Sequence, residues 1–477
     1  MTDRGRWIAL YVLCAGMLMI VLDVTVVNVA LPSIQNDLGF TQSSLAWVVN
    51  AYLIAFGGLL LLAGRFGDIL GRKRIFLAGL TVFTVASLLC GLAQSQNMLI
   101  AARFVQGVGG AMTSAVILGM IVTMFQEPRE QAKAIGVYAF VASAGGSIGL
   151  LAGGVLTRTI NWHWIFFVNI PIGIATIVVA VRLLERETGI GFGQGGPDIP
   201  GAVLITSSLM LGVYTIVKPA ADQGWAASRT LELGAISIAL LIAFVLRESR
   251  ASNPLIPLRI FRSRNVSGAN ATQALMVAGM FGVFFLGSLY MQRVLGYNAL
   301  KVGVAFLPVT IVMGTLSLRY SEGLITRFGA RRTLLPGLVL IGLGLAYFAR
   351  APVAGSYVRD VLPTMILFGF GAGLVFPALM TVAMSGATHS DAGLASGLVN
   401  TTAQVGGALG LAVLATLSAT RSDNLISNGT ATKAALTSGY HLAFLIGTAL
   451  VVAALVVATV VLETEKAPDL TAEFSEA

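Results

Sequence analysis

The sequence is poor in charged residues, histidine and cysteine. Only 11% of the 477 residues are charged, whereas about 25% is usual in soluble globular proteins, so an ordinary soluble domain is excluded. Cys14 and Cys90 lie in separate apolar stretches, and their spacing indicates neither a disulfide framework nor a metal site. The chain also lacks the GxxxxGK[ST] phosphate-binding loop, which argues against ATP as the energy source.

The sequence instead contains many long apolar segments. The mean hydropathy is +0.86, and a helix needs about 20 mostly apolar residues to span a membrane. Clusters of charged and turn residues separate fourteen such segments: 8–32, 45–64, 75–94, 98–124, 134–157, 164–184, 199–218, 230–247, 266–291, 301–319, 333–350, 360–385, 393–418 and 439–462. The sequence therefore predicts an all-α integral membrane protein with fourteen transmembrane helices, numbered here helix 1 to helix 14.

The basic residues are distributed unevenly between the two sides that this helix count defines. Twenty of the 30 Lys and Arg residues fall on the side of both termini and nine on the other, with Arg103 inside a helix. Because basic residues accumulate on the cytoplasmic side, we expect both termini to be cytoplasmic. The same rule accounts for the net charge of +9 without a nucleic-acid partner. Arg outnumbers Lys 24 to 6, which favours a bacterial source and the bacterial inner (plasma) membrane.

The two halves of the chain repeat each other, as in duplicated transporters. Gly71 between helices 2 and 3 pairs with Gly329 between helices 10 and 11, and the segment 144–150 on helix 5 matches 405–411 on helix 13 at an offset of 261 residues. The repeat leaves helices 7 and 8 unpaired. We expect four regions: an N-terminal six-helix bundle (1–185), two additional helices with linkers (186–250), a C-terminal six-helix bundle (251–463) and a cytoplasmic tail (464–477).

One acidic residue lies late in helix 1, at membrane depth. Asp23 belongs to the stretch Leu22–Pro32, and a carboxylate near the centre of a spanning helix costs roughly 2.5 to 3.5 kcal/mol on insertion scales. An acid in that position usually faces a cavity or a partner and titrates. The stretch resembles the LDxTxVNVALP signature of the fourteen-helix drug:proton antiporter branch of the major facilitator superfamily. The resemblance implies the major facilitator fold, with two six-helix bundles and two extra central helices.

Helix 4 carries a second feature of this resemblance. Residues 103–110 resemble the helix 4 motif whose Arg is associated with proton transfer. A nearby Asp23 would be stabilised as the anion by Arg103 and as the neutral acid by desolvation, so a change in their distance would act as a proton switch. The alternative is an Arg that only holds helix 4 against helix 1.

The loop between helices 2 and 3 resembles the superfamily's GxLxDRxGRKR gating loop. The residues that carry this resemblance are Gly64, Asp68, Gly71, Arg72, Lys73 and Arg74. Its glycines permit a tight turn, and its acid can stabilise a helix N-terminus. The alternative is a topology anchor under the positive-inside rule.

Helix 5 resembles the antiporter motif GxxxGPxxGG. The matching residues are Gly145, Gly149, Gly153 and Gly154, and Leu150 replaces the proline. Small residues at this spacing let two helices approach closely. We expect the main role to be packing across the interface between the two bundles.

The resemblance also implies a substrate cavity lined by helices 1, 4, 9 and 12. The candidate residues are Asn28, Gln106, Asn270, Gln273, Met280, Phe281, Phe284, Ser288, Phe370, Phe376, Asn400 and Gln404. Met and aromatic surfaces accept bulky amphipathic ligands of many shapes, although each residue could instead face lipid or pack within a bundle. The acids Glu322, Asp360 and Asp391 fall at helix ends or in loops, so we expect neutral, monocationic or lipid-like substrates.

Together these features predict a proton-coupled antiporter that exports hydrophobic or amphipathic compounds by alternating access, with Asp23 as the proton carrier. We expect a monomer with no cofactor, metal site or enzymatic activity, whose partners are its substrate, protons and the lipid bilayer. Three alternatives remain: an exporter of an endogenous lipid or metabolite, a proton-coupled nutrient importer, and a non-transporting sensor or scaffold.

Overall fold

Long α-helices make up the protein, whose computed structural model describes residues 3–125, 127–184, 198–385 and 392–463. The fourteen long helices are α1 (Asp3–Leu38), α2 (Trp47–Leu70), α3 (Arg72–Gly91), α4 (Gln96–Met124), α5 (Pro128–Thr159), α6 (Asn169–Leu183), α7 (Ile199–Val217), α8 (Ser228–Arg250), α9 (Arg264–Leu289), α10 (Ala299–Arg319), α11 (Ala330–Phe348), α12 (Leu362–Ser385), α13 (Ala392–Ser427) and α14 (Thr432–Val461). Shorter helical pieces include Trp164–Phe167 before α6, Ser321–Phe328 before α11, and the π-helical turns Tyr290–Val294 and Tyr357–Val361.

The expected all-α membrane architecture is confirmed. Within the described part of the chain, thirteen helices are long and apolar enough to cross a membrane, and Ile148–Thr159 of α5 is a shorter apolar helix. Each predicted segment coincides with one long helix, but several helices are longer than predicted. The helix α1 begins at Asp3 and α13 ends at Ser427, because polar residues continue a helix beyond the apolar stretch that hydropathy detects.

The helix packing repeats between the two halves. In the first half α3 and α2 pack on α4, and α5 and α6 pack on α1. In the second half α11 and α10 pack on α12, and α13 and α14 pack on α9. Each of these four contacts in the first half thus has a counterpart eight helices later. The domain limits at residues 185, 250 and 463 stay a prediction, and the expected tail, residues 464–477, lies outside the described residues.

The halves meet mainly through two helix pairs, α5 with α10 and α2 with α13. The helix α7 packs on both α2 and α13, so it contacts both halves, and α8 packs on α7. Reciprocal hydrogen bonds join these last two helices, since Ser208 Oγ donates to Ser237 O at 2.8 Å and Ser237 Oγ donates to Ser208 O at 2.9 Å. The helices left over from the repeat therefore lie at the periphery, beside the boundary between the halves.

A glycine with positive φ separates two consecutive helices at the same place in each half. Gly71 has φ 97° and Gly329 has φ 84°, a conformation that residues with a Cβ rarely adopt. Two residues later, Lys73 Nζ donates to Val181 O at 2.9 Å and to Leu184 O, at the end of α6. Arg331 donates to Thr459 O near the end of α14. A cation thus stabilises the carboxyl end of the last helix of each half. We call this face of the molecule the basic face, and the opposite one the far face.

Candidate functional site

The carboxylate of Asp23 is completely buried (0% exposed) inside the first half. Its Oδ2 accepts a hydrogen bond from Arg103 of α4, and the two side chains form an ion pair. Its Oδ1 accepts from Gln106 Nε2 at 2.7 Å and from Asn169 Nδ2 of α6 at 3.3 Å. The acid on α1 is therefore surrounded by donors from two other helices, so it does not face lipid.

Arg103 is equally buried, with 1% of its surface exposed. Besides Asp23, its guanidinium donates to Gln106 Oε1 at 2.6 Å and to Val48 O of α2 at 2.9 Å. Its Cζ lies 4.5 Å from the centre of the Tyr52 ring, a cation–π distance. The pair carries no net charge, which makes its burial among apolar side chains tolerable.

The sequence analysis missed two members of this cluster. Ser87 of α3 accepts from Gln106 Nε2 at 2.8 Å, and it donates to Phe83 O at 2.8 Å. Asn169 has a completely buried side chain, and its Oδ1 has no hydrogen-bond partner among the described residues. The available signal was a polar residue isolated within an apolar helix, but hydropathy does not show which polar residues meet.

Gln106, which was predicted to line the substrate cavity, belongs to the buried cluster around Asp23. Its amide connects Asp23, Arg103 and Ser87, and it is completely buried within the first half. The reason is helical spacing: residues three apart lie on the same face of a helix, so Gln106 shares the Asp23-facing side of α4 with Arg103.

Most of the other predicted cavity residues on α9 and α13 pack against neighbouring helices. Near the basic face, Asn270 Oδ1 accepts from Thr402 Oγ1 of α13 at 2.8 Å, and Gln273 is buried with Oε1 lacking a partner among the described residues. Further along α9, Met280 is buried and Phe284 stacks on Phe306 of α10 at 5.6 Å. The Phe281 ring of α9 packs against Gly407 of α13. Gln404 of α13 packs against Gly57 of α2, and Asn400 is exposed.

The two phenylalanines of α12 are both partly exposed. Phe370 is 43% exposed, and it lies on the opposite side of the helix from the fully buried residues Met365 and Ala372. It therefore faces outward rather than toward the interior of its half. Phe376 is 36% exposed. Their assignment to a substrate cavity stays a prediction.

Asn28 and Ser288 lie where the two halves touch near the far face. Ser288 Oγ of α9 donates to the main-chain oxygen of Asn28 at 2.9 Å, and Gln292 Nε2 donates to Val29 O at 3.1 Å. A Cβ on Gly154 of α5 would lie 2.8 Å from Leu300 Cα of α10. The halves are thus joined at the far face, and we call these contacts the far-face gate.

The predicted gating loop lies on the basic face and holds helices together there. Arg72 donates to Gly119 O of α4 at 3.1 Å and pairs with Asp68 at 3.4 Å. Lys73 binds the end of α6 as described above, and Arg74 is exposed. Gly64 is half-buried, and its nearest neighbour for a Cβ is Ala115 at 3.9 Å. A gating role stays a prediction.

The expectation that the helix 5 glycines pack across the two halves is largely wrong. Gly145 packs on Leu18 and Val21 of α1, Gly149 on Leu22 and Thr25, and Gly153 on Val26, all within the first half. Only Gly154 of the four contacts the other half, at Ala299 and Leu300. Glycine spacing predicts a close approach, but it does not identify which neighbouring helix approaches.

Two of the three acids singled out in the second half lie where the sequence predicted. Glu322 is in the short helix Ser321–Phe328, and Asp360 is in the π-helical turn Tyr357–Val361, where it pairs with Arg359 at 3.2 Å. Asp391 lies outside the described residues.

Comparisons with known proteins agree with this architecture. A model of the Major Facilitator Superfamily matches residues 13–411. The puromycin resistance protein pur8 of Streptomyces alboniger is 37% identical over 476 residues, which cover 98% of this chain and 94% of the relative. The cephamycin export protein CmcT of Amycolatopsis lactamdurans is 39% identical over 455 residues, covering 95% of this chain and 92% of the relative.

A third relative, the tetracenomycin C resistance and export protein of Streptomyces glaucescens, is 34% identical over 422 residues, or 88% of this chain and 77% of the relative. Among solved structures, an inward-facing bacterial homolog of the human lysosomal transporter Spinster aligns with a TM-score of 0.67 and 17% identity, covering 96% of this chain and 97% of that one. That likeness shows a shared fold. This chain, a multi-pass membrane protein, belongs to the Major Facilitator Superfamily, a family of transporters rather than of enzymes.

Proposed function

We propose that this protein is a proton-coupled antiporter that exports hydrophobic or amphipathic small molecules, with Asp23 as the proton carrier. The observation that carries the proposal is the buried pair of Asp23 and Arg103, held by Gln106 and Asn169. A titratable acid at membrane depth is costly to keep, and the donors around it come from α4 and α6 of the same half.

The proton step follows from the hydrogen bonds of the cluster. A proton that reaches Asp23 from water converts one acceptor oxygen into a donor and removes the charge that balances Arg103. Asn169 Oδ1 is a buried acceptor without a partner among the described residues, so rotation of this amide would let it accept from the protonated acid. Arg103 would keep its bonds to Val48 O and Gln106 Oε1. When the proton leaves toward the other side, the ion pair forms again.

Movement of α1 would couple protonation of Asp23 to transport. Asp23 lies five residues before Asn28, whose main-chain oxygen takes part in the far-face gate. Opening that gate must move the end of α1 relative to α9, and a rigid helix transmits the movement to Asp23. A change in the distance between Asp23 and Arg103 alters how readily the acid binds a proton, which couples protonation to the rocking of the two halves.

The substrate class rests on the relatives, which are antibiotic resistance or export proteins. We infer export of drug-like amphipathic compounds, driven by the proton gradient without a cofactor, across a bacterial inner membrane with both termini inside and the protein acting as a monomer. The second candidate is export of a compound that the cell itself makes, because two of these relatives are named as export proteins for cephamycin and tetracenomycin C. Expression in a pump-deleted host, with a drug panel and export of the host's own lipids and metabolites measured together, separates the two.

The decisive experiment is substrate-induced proton release from the purified protein and its transport in proteoliposomes. We expect Asp23→Asn to abolish transport driven by a pH gradient while it retains substrate binding. The matched control is Asp222→Asn, which removes an exposed acid from the short helix Pro219–Gln223. Asp23→Asn transporting as well as the control would remove this acid from the mechanism.

A second variant tests the part assigned to Asn169. Asn169→Leu keeps the number and branching of the side-chain heavy atoms but removes both the acceptor for a protonated Asp23 and the donor to its Oδ1. We expect the pH at which transport is half-maximal to shift while substrate affinity stays unchanged. A lower rate with an unchanged pH profile would mean that Asn169 only supports the packing of α6.

A further inference from the structure

A pocket of 490 Å³ opens on the far face, directly above the far-face gate. Its walls come from both halves: the end of α1 and the last turn of α5 on one side, and the π-helical turn after α9 and the start of α10 on the other. Gln292, which donates to Val29 O in the gate, is also part of the lining. The pocket therefore exists in this form only while the gate is closed.

The lining is polar and positively charged. Arg158 of the first half and Arg293 of the second both contribute to it, and none of the residues around the pocket is acidic. Lys301 adds a third positive charge nearby, since its Nζ lies 3.7 Å from the centre of the Tyr297 ring, which lines the pocket. The acid nearest in sequence, Asp37, accepts from Trp162 Nε1 at 2.8 Å and lies 3.7 Å from His163 Nε2.

Two further features favour an anionic occupant. The helix α10 begins at the pocket: Asn298 caps it by accepting from Lys301 N at 2.9 Å, and Ala299 is part of the lining. A helix N-terminus attracts negative charge. Thr157 Oγ1, also in the lining, is buried and has no partner among the described residues, so a hydroxyl there can donate to a ligand oxygen.

We propose that this pocket binds a phosphate group, clamped between Arg158 and Arg293, and that its occupant holds the far-face gate closed. Guanidinium groups bind phosphate oxygens in forked, charge-assisted pairs, and the volume lies within the range of about 300 to 1,000 Å³ that is usual for small-molecule sites. A ligand that contacts both halves in one conformation stabilises that conformation by its differential affinity. The phosphate could belong to a soluble metabolite or to a phospholipid headgroup at the membrane surface.

The test uses the full-length protein in detergent and measures binding of glycerol phosphate by calorimetry and by the rise in unfolding temperature. We expect Arg158→Gln and Arg293→Gln each to weaken binding by at least about tenfold, the loss of one charge-assisted hydrogen bond. Arg229→Gln removes an exposed basic residue elsewhere on the same face and serves as the matched control. Neutral glycerol, and chloride at equal ionic strength, control for non-specific stabilisation.

The source of the phosphate is decided in lipid nanodiscs. If the headgroup is the natural occupant, phosphatidylglycerol stabilises the wild type more than either Arg variant, and added glycerol phosphate has no further effect. If a soluble anion is the occupant, glycerol phosphate binds with the same affinity in anionic and zwitterionic discs. Binding that is equal in the wild type, both Arg variants and the control overturns the proposal, as does stabilisation no greater than that of chloride. Neither result bears on proton coupling, because Asp23 plays no part in this pocket.

Discussion

Adjacent glycines on α5 should respond differently to the same added methyl group. A Cβ on Gly153 would lie 2.8 Å from Val26 O and 3.0 Å from Val26 Cα, on α1 of the same half. A Cβ on Gly154 would lie 2.8 Å from Leu300 Cα and 2.9 Å from Ala299 O, on α10 of the other half. In each case the obstacle is backbone, and ordinary contact begins near 3.4 Å. Each substitution must therefore separate two helices by about 0.6 Å, the difference between 3.4 and 2.8 Å.

Such overpacking costs about 1 to 3 kcal/mol. The two variants differ in whether the strain destabilises one half of the molecule or the contact between the halves. Gly153→Ala strains a contact within the first half, which rigid-body rocking of the halves would preserve. We therefore expect a lower unfolding temperature and slower transport, since Val26 lies three residues beyond Asp23. Gly154→Ala strains a contact between the two halves, which the proposed opening of the far-face gate would break. We expect it to shift the population toward the open gate by roughly 5- to 150-fold, with little change in unfolding temperature.

The assay combines thermal unfolding with thiol labelling of a Val29→Cys reporter, whose side chain is completely buried at the gate. Both native cysteines are buried, so background labelling is slow. Gly146→Ala is the control, because the nearest atom to its Cβ is Thr310 Cγ2 at 4.0 Å. Gly154→Ala should accelerate labelling and Gly153→Ala should not. Equal labelling rates in the two variants, or a Gly153→Ala protein as stable as the control, would refute this division of the α5 contacts.

Three further predictions concern the charge pair, the basic face and the gate. Arg103→Gln should lower stability by about 3 to 5 kcal/mol by leaving a buried carboxylate unpaired, and adding Asp23→Asn should recover part of the loss; additive effects in the unfolding of the double variant would contradict a direct pair. Lys73→Met removes the cation that caps the end of α6, so the free energy of local opening there should fall by about 1 kcal/mol and amide hydrogen exchange should become faster. Unchanged protection would show that the cap contributes nothing. Gln292→Ala removes one hydrogen bond across the gate and should increase far-face thiol labelling about fivefold. Unchanged labelling would mean that other contacts hold the gate closed.

Much of the fold could be predicted from hydropathy, whereas the contacts of the site could be predicted only in part. Apolar runs mark the helices, and the recurring glycines mark the repeat. The motifs on α1 and α4 suggested that Asp23 and Arg103 are close, and the structure places them in contact. The sequence did not predict that Asn169 and Gln106 belong to this cluster, because a helix that is apolar on all sides gives no periodic signal of which face meets which neighbour.

The repeat also explains why the charge pair belongs to one half. The main chain of Leu22 meets Gly149 on α5, and the main chain of Ala278 meets Gly410 on α13, so these two contacts are equivalent. The next residue is Asp23 in the first half and Gly279 in the second, where a Cβ would lie 2.8 Å from Gly447 O of α14.

The position equivalent to Asp23 therefore has no room for a side chain. The sequence Gly107-Val108-Gly109 on α4 is repeated as Gly369-Phe370-Gly371 on α12. Arg103 precedes the first motif by four residues, as Met365 precedes the second, and Met365 is completely buried. The duplicated scaffold thus keeps its cationic helix caps in both halves, but it leaves space for a buried acid and its counterion in the first half alone. If protonation of this cluster is coupled to transport, it must reach the second half through the contacts that join the halves, which include those of α5 with α10, of α2 with α13 and of α1 with α9.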